Sequence, residues 1–505
     1  MKPEKLNIII ERPAALLRFR RFDFRLIARI TGMLLIYLSV GMALPLAASL
    51  YSRDGAQFAL ALSAVMILLL GLLFRNILGR KAGYELHEKE SFWITVIIWL
   101  VVPIAGTLPY LFLGSFGSLT DALFESFSGF TTTGSSILAH PEDLPPSLLV
   151  YRSFTQWVGG LGLLLFVVAI MRKLYAGGAG RLYDAEFSGT QQRKLHPRLA
   201  KSVSRMWRIY MLITLAMAAL LLLTGTPLVD AVSLACSTVS TGGFVTHADG
   251  LSMLGTGSLT VVMVFMWLSG VNVALLYRCF TLHWRHLWRD EELRVYAMVF
   301  LLSVMICMVA FFSVGNTLGE SVRYSLFHVS STMSTCGFYL PRPPHWSFLV
   351  STLTFVLIVI GASAGSTGGG LKMRRVIVLV KFIGNYFTRM IHPHAVFRVK
   401  VNGEVVPHDY IQKIFAFLFL YILFIVGGAF VLTLCGCTIP DAVCMAAANI
   451  SNLGPSPLFN NLGGHLDYAL LPAVGKYTLM VLMLAGRVEI FALLAVVSPA
   501  YWRRG

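Results

Sequence analysis

The stretch Phe130–Ser136 reads Phe-Thr-Thr-Thr-Gly-Ser-Ser. It is too polar and too rich in glycine for a membrane helix, yet apolar runs flank it on both sides. Three stretches echo it: Ser240-Thr241-Gly242-Gly243-Phe244, Ser334-Thr335-Cys336-Gly337-Phe338 and Ser451-Asn452-Leu453-Gly454-Pro455. Each has a small polar residue two places before a glycine. The glycines recur about every hundred residues, which marks a fourfold internal repeat. Main-chain cation binding is the chemistry open to such stretches. Glycine lets successive peptide units turn to one side, and a ring of carbonyls can replace a cation's hydration shell. The candidate residues are Thr132, Thr133 and Gly134; Thr241, Gly242 and Gly243; Thr335, Cys336 and Gly337; and Asn452, Leu453 and Gly454. Any one copy alone could be a plain inter-helix loop. Four copies in four matching apolar frames argue against that.

Upstream elements must position these loops. Asp121, Asp230 and Asp441 each stand thirteen residues before a repeat glycine, whereas the third repeat has Tyr324 there. The apolar run between Asp and loop suits a helix of about three turns. Asp at its start is expected to cap free N–H groups and complement the dipole. Its C-terminus would then face the loop, as a pore helix faces a filter. Non-helical backbone at membrane depth is tolerated only where protein surrounds it or it lines water.

The remaining chain supplies the spans. Of 505 residues, 56% are hydrophobic and 13% charged, against about 25% charged in soluble chains. Apolar runs long enough to cross a bilayer recur throughout. The sequence predicts an all-α polytopic membrane protein with four pseudo-symmetric repeats of span, pore helix, filter loop and span around one pore. Residues 1–90 add an N-terminal segment and two further spans, near 26–49 and 57–77. Repeat one covers 91–205, with spans near 91–113 and 150–171. Repeat two covers 206–294, with spans near 206–225 and 258–281. Repeat three covers 295–409, with spans near 295–315 and 346–383. Repeat four covers 410–505, with spans near 411–435 and 473–497. No cleavable signal peptide is evident, and Arg20-Arg21 precedes a long apolar run without a small-residue cleavage site.

The net charge of 41 − 24 = +17 raises nucleic acid as a partner, but its distribution argues otherwise. Basic residues crowd the N-terminal segment, the linkers Arg172–Arg208, Arg278–Arg294 and Lys372–Lys413, and the final Arg503-Arg504. All fall on one side if each repeat crosses twice, as the positive-inside rule requires for cytoplasmic loops and termini. The other side carries Glu142, Asp143, Asp249 and Asp467, a mild acidic excess that would gather cations. The seven cysteines show neither CxxC nor metal spacing.

Two segments break the apolar pattern. Gly361-Ala362-Ser363-Ala364-Gly365-Ser366-Thr367-Gly368-Gly369-Gly370 interrupts the second span of repeat three. Such a run unwinds a helix. It lacks the Gly-Lys-Ser/Thr of a phosphate-binding loop and follows no strand, so it reads as a linker or, more sharply, as a mobile barrier under the pore. Gly486-Arg487-Val488-Glu489 lies within the last span. Intramembrane charges face a cavity or a partner, and residues two apart do not share a helix face, so each needs its own partner. Gln156, Asn272 and His328 are expected to form interhelical hydrogen bonds. Glu125, Gln156 and Glu489 show no catalytic spacing, which argues against an enzyme.

Taken together, the four loops, Gln156-Trp157-Val158-Gly159-Gly160-Leu161-Gly162, Ala364–Lys372 and Ala485-Gly486-Arg487-Val488-Glu489 resemble the TrkH/KtrB superfamily of potassium transporters over about 91–498. The two extra N-terminal spans resemble its TrkH branch. The resemblance implies one K⁺ selectivity filter, an intramembrane gating loop in repeat three, at Gly361–Gly370, and a homodimer with one pore per protomer in the bacterial inner membrane. Arg487, a fixed charge in a span expected to line the pore, is expected to raise the barrier or hold that loop shut. It also implies a separate cytosolic regulator of the RCK type (TrkA) that binds NAD(H) or ATP/ADP. This chain has no GxGxxG after a strand, so no organic cofactor is expected on it and K⁺ is the cargo. A gated channel and a symporter coupled to H⁺ or Na⁺ both remain open. Only the glycine is common to all four loops.

Overall fold

In a bilayer every main-chain N–H and C=O must be satisfied within its own segment, so apolar runs of this length fold as helices. The computed structural model describes residues 24–80, 88–160, 196–280, 289–340, 348–392, 397–454 and 468–498. Among these, six helices are long and apolar enough to cross a membrane, and one bent pair could be a seventh span. The N-terminal addition comprises α1 (Phe24–Gly41), α2 (Ala43–Ser52) and α3 (Gln57–Leu72), the last continuing as a π-helix over Leu73–Leu78. Repeat one contributes α4 (Glu88–Ala105), α5 (Leu108–Phe112), α6 (Leu119–Phe130) and α7 (Pro146–Gly160). Repeat two contributes α8 (His196–Leu223), α9 (Leu228–Val239), α10 (Thr256–Ser269) and α11 (Val273–Phe280). Repeat three contributes α12 (Glu291–Ser313), α13 (Leu318–Met333), α14 (Phe348–Ile360) and α15 (Met373–Ile391). Repeat four contributes α16 (His408–Leu434), α17 (Ile439–Ile450), α18 (Ala473–Arg487) and α19 (Ile490–Val497). A hairpin of β1 (Lys400–Val401) and β2 (Glu404–Val405) precedes α16.

The short helices α6, α9, α13 and α17 precede the four loops, and each packs against its neighbour's second span. The helix α7 packs on α9, α10 on α13, α14 on α17, and α18 returns to α6. The chain thus closes a fourfold ring. Outside it, α16 shows how a span divides its surface. Ile411, Ile414, Phe417, Tyr421 and Ile425 are buried, while Phe419, Ile422, Val426 and Phe430 are exposed. A helix apolar on both faces is a membrane span whose outer stripe meets lipid. The α1–α3 addition docks on this ring, where α2 packs on α7. Asp54, in the turn after α2, accepts from the Ser147 N–H at 2.9 Å and the Ala56 N–H at 3.1 Å, and Ser49 also donates to it.

Three expectations need correction. First, the second spans of repeats two and four are not continuous. The former breaks at Gly270–Asn272, and α18 and α19 meet at a bend of 111° beyond Arg487. Second, the aspartates thirteen residues before the glycines do not cap. Asp121 and Asp441 occupy the third helical position, and the caps are Ser118 and Thr438, which accept from the Asp121 and Asp441 N–H groups. In repeat three, α13 begins a turn earlier, and Thr317 and Glu320 form a capping box in place of the missing Asp. Third, Gln156 does more than bond a neighbouring helix: besides Ser237 on α9 it engages the second loop at Gly242 and Phe244. The N-terminal segment 1–23, much of the linker from Arg172 and the far part of the 150–171 span, Asp467 and Arg503-Arg504 lie outside the described residues.

Candidate functional site

The four loops share one backbone path despite their different sequences. The C-terminal cap residues Thr131, Ser240, Ser334 and Ser451 have φ of −77°, −81°, −74° and −81°. The next residues, Thr132, Thr241, Thr335 and Asn452, are left-handed at 55°, 56°, 60° and 51°. After one residue outside that region come Gly134, Gly243, Gly337 and Gly454 at 82°, 82°, 79° and 78°. Left-handed geometry costs a non-glycine residue about 1–2 kcal/mol and is rarest for β-branched types. Hydrogen bonds hold it in place. The N–H groups of Thr133, Gly242, Cys336 and Leu453 donate to the carbonyls of Ser128, Ser237, Ser331 and Ala448 at 2.7–2.9 Å. This is the six-to-one bond of a Schellman cap, made here with Thr or Asn where Gly is usual. Alternation of the sign of φ aligns successive N–H groups on one side, leaving carbonyls to the other.

The glycines close the ring. A Cβ built on Gly134 would stand 2.2 Å from the Gly242 carbonyl oxygen. One on Gly243 would stand 2.1 Å from that of Cys336, and one on Gly337 would stand 1.8 Å from that of Leu453. One on Gly454 would stand 2.3 Å from that of Thr133. Each glycine therefore abuts the carbonyl that precedes the next repeat's glycine, and the fourth returns to the first. Only a residue without Cβ fits so close an approach.

Side chains behind the loops fix their seams. Gln156 Nε2 donates to the Gly242 carbonyl at 2.7 Å, and its Oε1 accepts from Ser237 Oγ and the Phe244 N–H. A carbonyl has two lone pairs, so Gly242 keeps one free. Asn452 Nδ2 donates to Thr133 Oγ1 at 3.0 Å and to the Met483 carbonyl at 2.9 Å. Ser135 Oγ donates to Asn449 Oδ1 at 2.9 Å. Glu125 and Arg152 form a buried ion pair at 2.6 Å beside the first two loops. Sequence reading noted Glu125 without its partner. The available signal is an arginine among apolar residues at the start of the 150–171 span.

Directly against this ring lies the segment Gly361–Lys372. Thr335 Oγ1 accepts from the Gly369 N–H at 2.8 Å. Thr367 Oγ1 lies within bonding distance of the Val239 and Ser269 carbonyls, at 3.1 and 3.2 Å. A Cβ on Gly369 would meet the Ser451 carbonyl at 2.0 Å. Arg487 completes the contact. It donates to the Thr367 carbonyl at 3.0 Å and to the Gly159 and Gly160 carbonyls at 2.5 and 2.6 Å. Glu489, beyond the bend, accepts from Arg375 at 2.7 Å. Asn272 Nδ2 donates to the Ala364 carbonyl, and Glu292 accepts from the Ala364 N–H at 2.6 Å. His328 pairs with Thr354 at 2.6 Å, a link between α13 and α14. A cavity of about 380 Å³ adjoins the segment, lined in part by Ser363, Ala364, Lys372, Arg375, Glu292 and Glu489.

On the opposite face, Lys476 on α18 donates to Asp121 at 2.5 Å, joining repeat four to repeat one. Glu142 accepts from the Ala248 N–H at 2.8 Å, joining the loops that follow the first two glycine stretches. Burial pushes its carboxyl up, but main-chain hydrogen bonds from Glu142 itself and Ala248, and His140, outweigh that and leave it below the usual range.

The comparison with known proteins agrees over nearly the whole chain. The family model described as TrkH, cation transport protein, matches residues 57–504. The Trk system potassium uptake protein TrkH of Salmonella typhimurium is 35% identical over 489 residues, covering 95% of this chain and 99% of the relative. Its counterpart from Vibrio parahaemolyticus is 33% identical over 492 residues, covering 95% and 100%. The crystal structure of the potassium transporter TrkH from Vibrio parahaemolyticus superposes with a TM-score of 0.85 at 31% identity, covering 95% of this chain and 100% of that one. With sequence and fold matching over nearly its whole length, this multi-pass membrane chain belongs to the TrkH family of cation transport proteins, which are transporters and not enzymes.

Proposed function

We propose that the protein takes up potassium across the bacterial inner membrane through one central pore. The observation that carries this reading is the closed ring of four loops, in which four unlike sequences adopt one alternating backbone. Such a ring offers a dehydrated cation main-chain oxygens in place of water. Relatives named as potassium uptake proteins support the choice of K⁺. In this reading the filter residues are those at 132–134, 241–243, 335–337 and 452–454. The Gly361–Gly370 segment is the gate, pinned by Arg487. The N- and C-termini are cytoplasmic, the protein works as a homodimer, and a separate TrkA-type nucleotide-binding subunit acts on the gate from the cytosol.

Growth of a K⁺-uptake-deficient strain at low K⁺, with and without this gene, tests transport. Failure to restore growth in cells that express and insert the protein would reject it. A second reading, symport coupled to H⁺ or Na⁺, draws support from Glu292, Glu489 and Lys372 around the cavity beside the gate. Flux in liposomes under imposed gradients separates the two. Uphill K⁺ movement driven by a proton or sodium gradient would favour symport, and its absence a gated channel.

A further inference from the structure

Nine residues before the four loop glycines stand Glu125, Leu234, His328 and Met445. All four side chains are buried behind their loops. Repeats two and four thus fill this place with apolar groups, so the fold itself requires no charge there. Repeat three places there an imidazole–hydroxyl contact, His328 to Thr354. At this place, among the described residues, only repeat one carries an ion pair. Removing both charges from water is costly, and only excellent geometry offsets it.

The geometry is of that kind. Glu125 Oε1 accepts from Arg152 Nε at 2.9 Å and from a terminal guanidinium nitrogen at 2.6 Å. The same carboxylate accepts from Ser136 Oγ at 2.9 Å and from the Ile137 N–H at 3.3 Å. Arg152 donates to Ser136 Oγ at 3.1 Å and, across the seam, to the Val245 carbonyl at 3.2 Å. Its guanidinium carbon lies 4.2 Å from the centre of the Phe244 ring. Ser136 and Ile137 follow Gly134 in the first loop, and Phe244 and Val245 follow Gly243 in the second. The pair therefore grips the same two loops that meet in front of it at Gly134 and the Gly242 carbonyl. Both side chains are at most 1% exposed, so neither faces a hydrated path.

We propose that Glu125 and Arg152 are positioning residues for selectivity. They set the spacing between the first and second loops from behind, and so tune which cation the ring prefers. The proposal rests on reading the loops as the filter. A planar, five-donor guanidinium is needed for the task, because it must reach a carboxylate, a hydroxyl and a carbonyl at once. Lysine offers a point charge in its place.

The test is the ratio of K⁺ to Na⁺ flux in liposomes, alongside a melting measurement, for Glu125→Gln, Arg152→Lys and Ser136→Ala. The expected result is a fall in the ratio of fivefold or more for Glu125→Gln and Arg152→Lys, and a smaller fall for Ser136→Ala. If the first two do not fold, Ser136→Ala decides alone, since it leaves the ion pair in place. A folded variant with the wild-type ratio overturns the proposal. Gly337→Ala, on the far seam between repeats three and four, separates the two levels. If it changes the ratio while the Glu125 and Arg152 variants do not, the filter stands and this inference fails. If it leaves the ratio unchanged, the filter reading fails and this inference falls with it.

Discussion

Replacing Gly337 by alanine strikes the ring at its tightest point. The added Cβ would stand 1.8 Å from the Leu453 carbonyl oxygen. Carbon and oxygen that are not bonded meet at about 3.3 Å or more, so one of the two loops must recede by roughly 1.5 Å. The backbone adds its own penalty, because φ is +79° and left-handed alanine costs about 1–2 kcal/mol. If that strain and displacement are expressed in the ion-binding geometry, one or two kcal/mol corresponds to a 5–30-fold change. The control is Gly114→Ala. Gly114 has φ +63° but nothing within 4 Å of its missing Cβ, so it carries the same backbone strain without the clash. Liposome flux with K⁺ and Na⁺, on protein of verified fold, gives the ratio. The expected outcome is lost discrimination for Gly337→Ala and none for Gly114→Ala. An intact ratio in a folded Gly337→Ala protein would refute the assignment of selectivity to the ring.

Three further outcomes follow from contacts outside it. Arg487→Ala removes three bonds to main-chain carbonyls, including the one on Thr367. It should raise K⁺ flux and weaken dependence on the regulator, whereas reduced or unchanged flux in a stable protein would remove Arg487 from the barrier. Thr317→Ala deletes the capping box of α13 and should lower stability by about 1 kcal/mol, read as an earlier melt in detergent; no shift would show that α13 is held by packing alone. Burial pushes the Asp54 carboxyl up, but hydrogen bonds from Ser147 and Ser49 outweigh this and leave it below its ordinary value. A depressed carboxyl stabilises the fold above its unfolded value and loses that contribution as pH falls through the lower folded one. Wild type should therefore lose stability over that acidic window, and Asp54→Asn should lose less there. Parallel pH–stability curves for the two would count against the contact.

The loops were legible because glycine is irreplaceable where Cα must touch a neighbour's carbonyl, and that requirement leaves a residue at a fixed place in each repeat. The start of α13 was harder to read. Glu320 lies 337 − 320 = 17 residues before its glycine rather than thirteen, because the helix is one turn longer and the cap moves with it. The breaks at Gly270–Asn272 and beyond Arg487 were hidden for another reason. Apolar residues continue through both, and composition records only burial in lipid, not helix direction. Gly361–Gly370 announced its break by composition alone. The partners of Arg487 and Glu489 are illegible because they lie on other repeats, and Glu125, the partner of Arg152, lies in the same repeat but across the first loop. The sequence could say only that such charges need company.

The closed ring has a consequence for how its specificity can change. In a channel built from four identical chains, one substitution alters four positions at once, and most such changes are felt on every side. Here each seam belongs to a different stretch of one polypeptide, with Gln156 at one, Asn452 at another and Cys336 at a third. A single codon can therefore move one side of the ring by a fraction of an ångström while the other three keep their contacts. On the proposed reading of the ring as the filter, preference among cations of similar size is then adjustable in small steps.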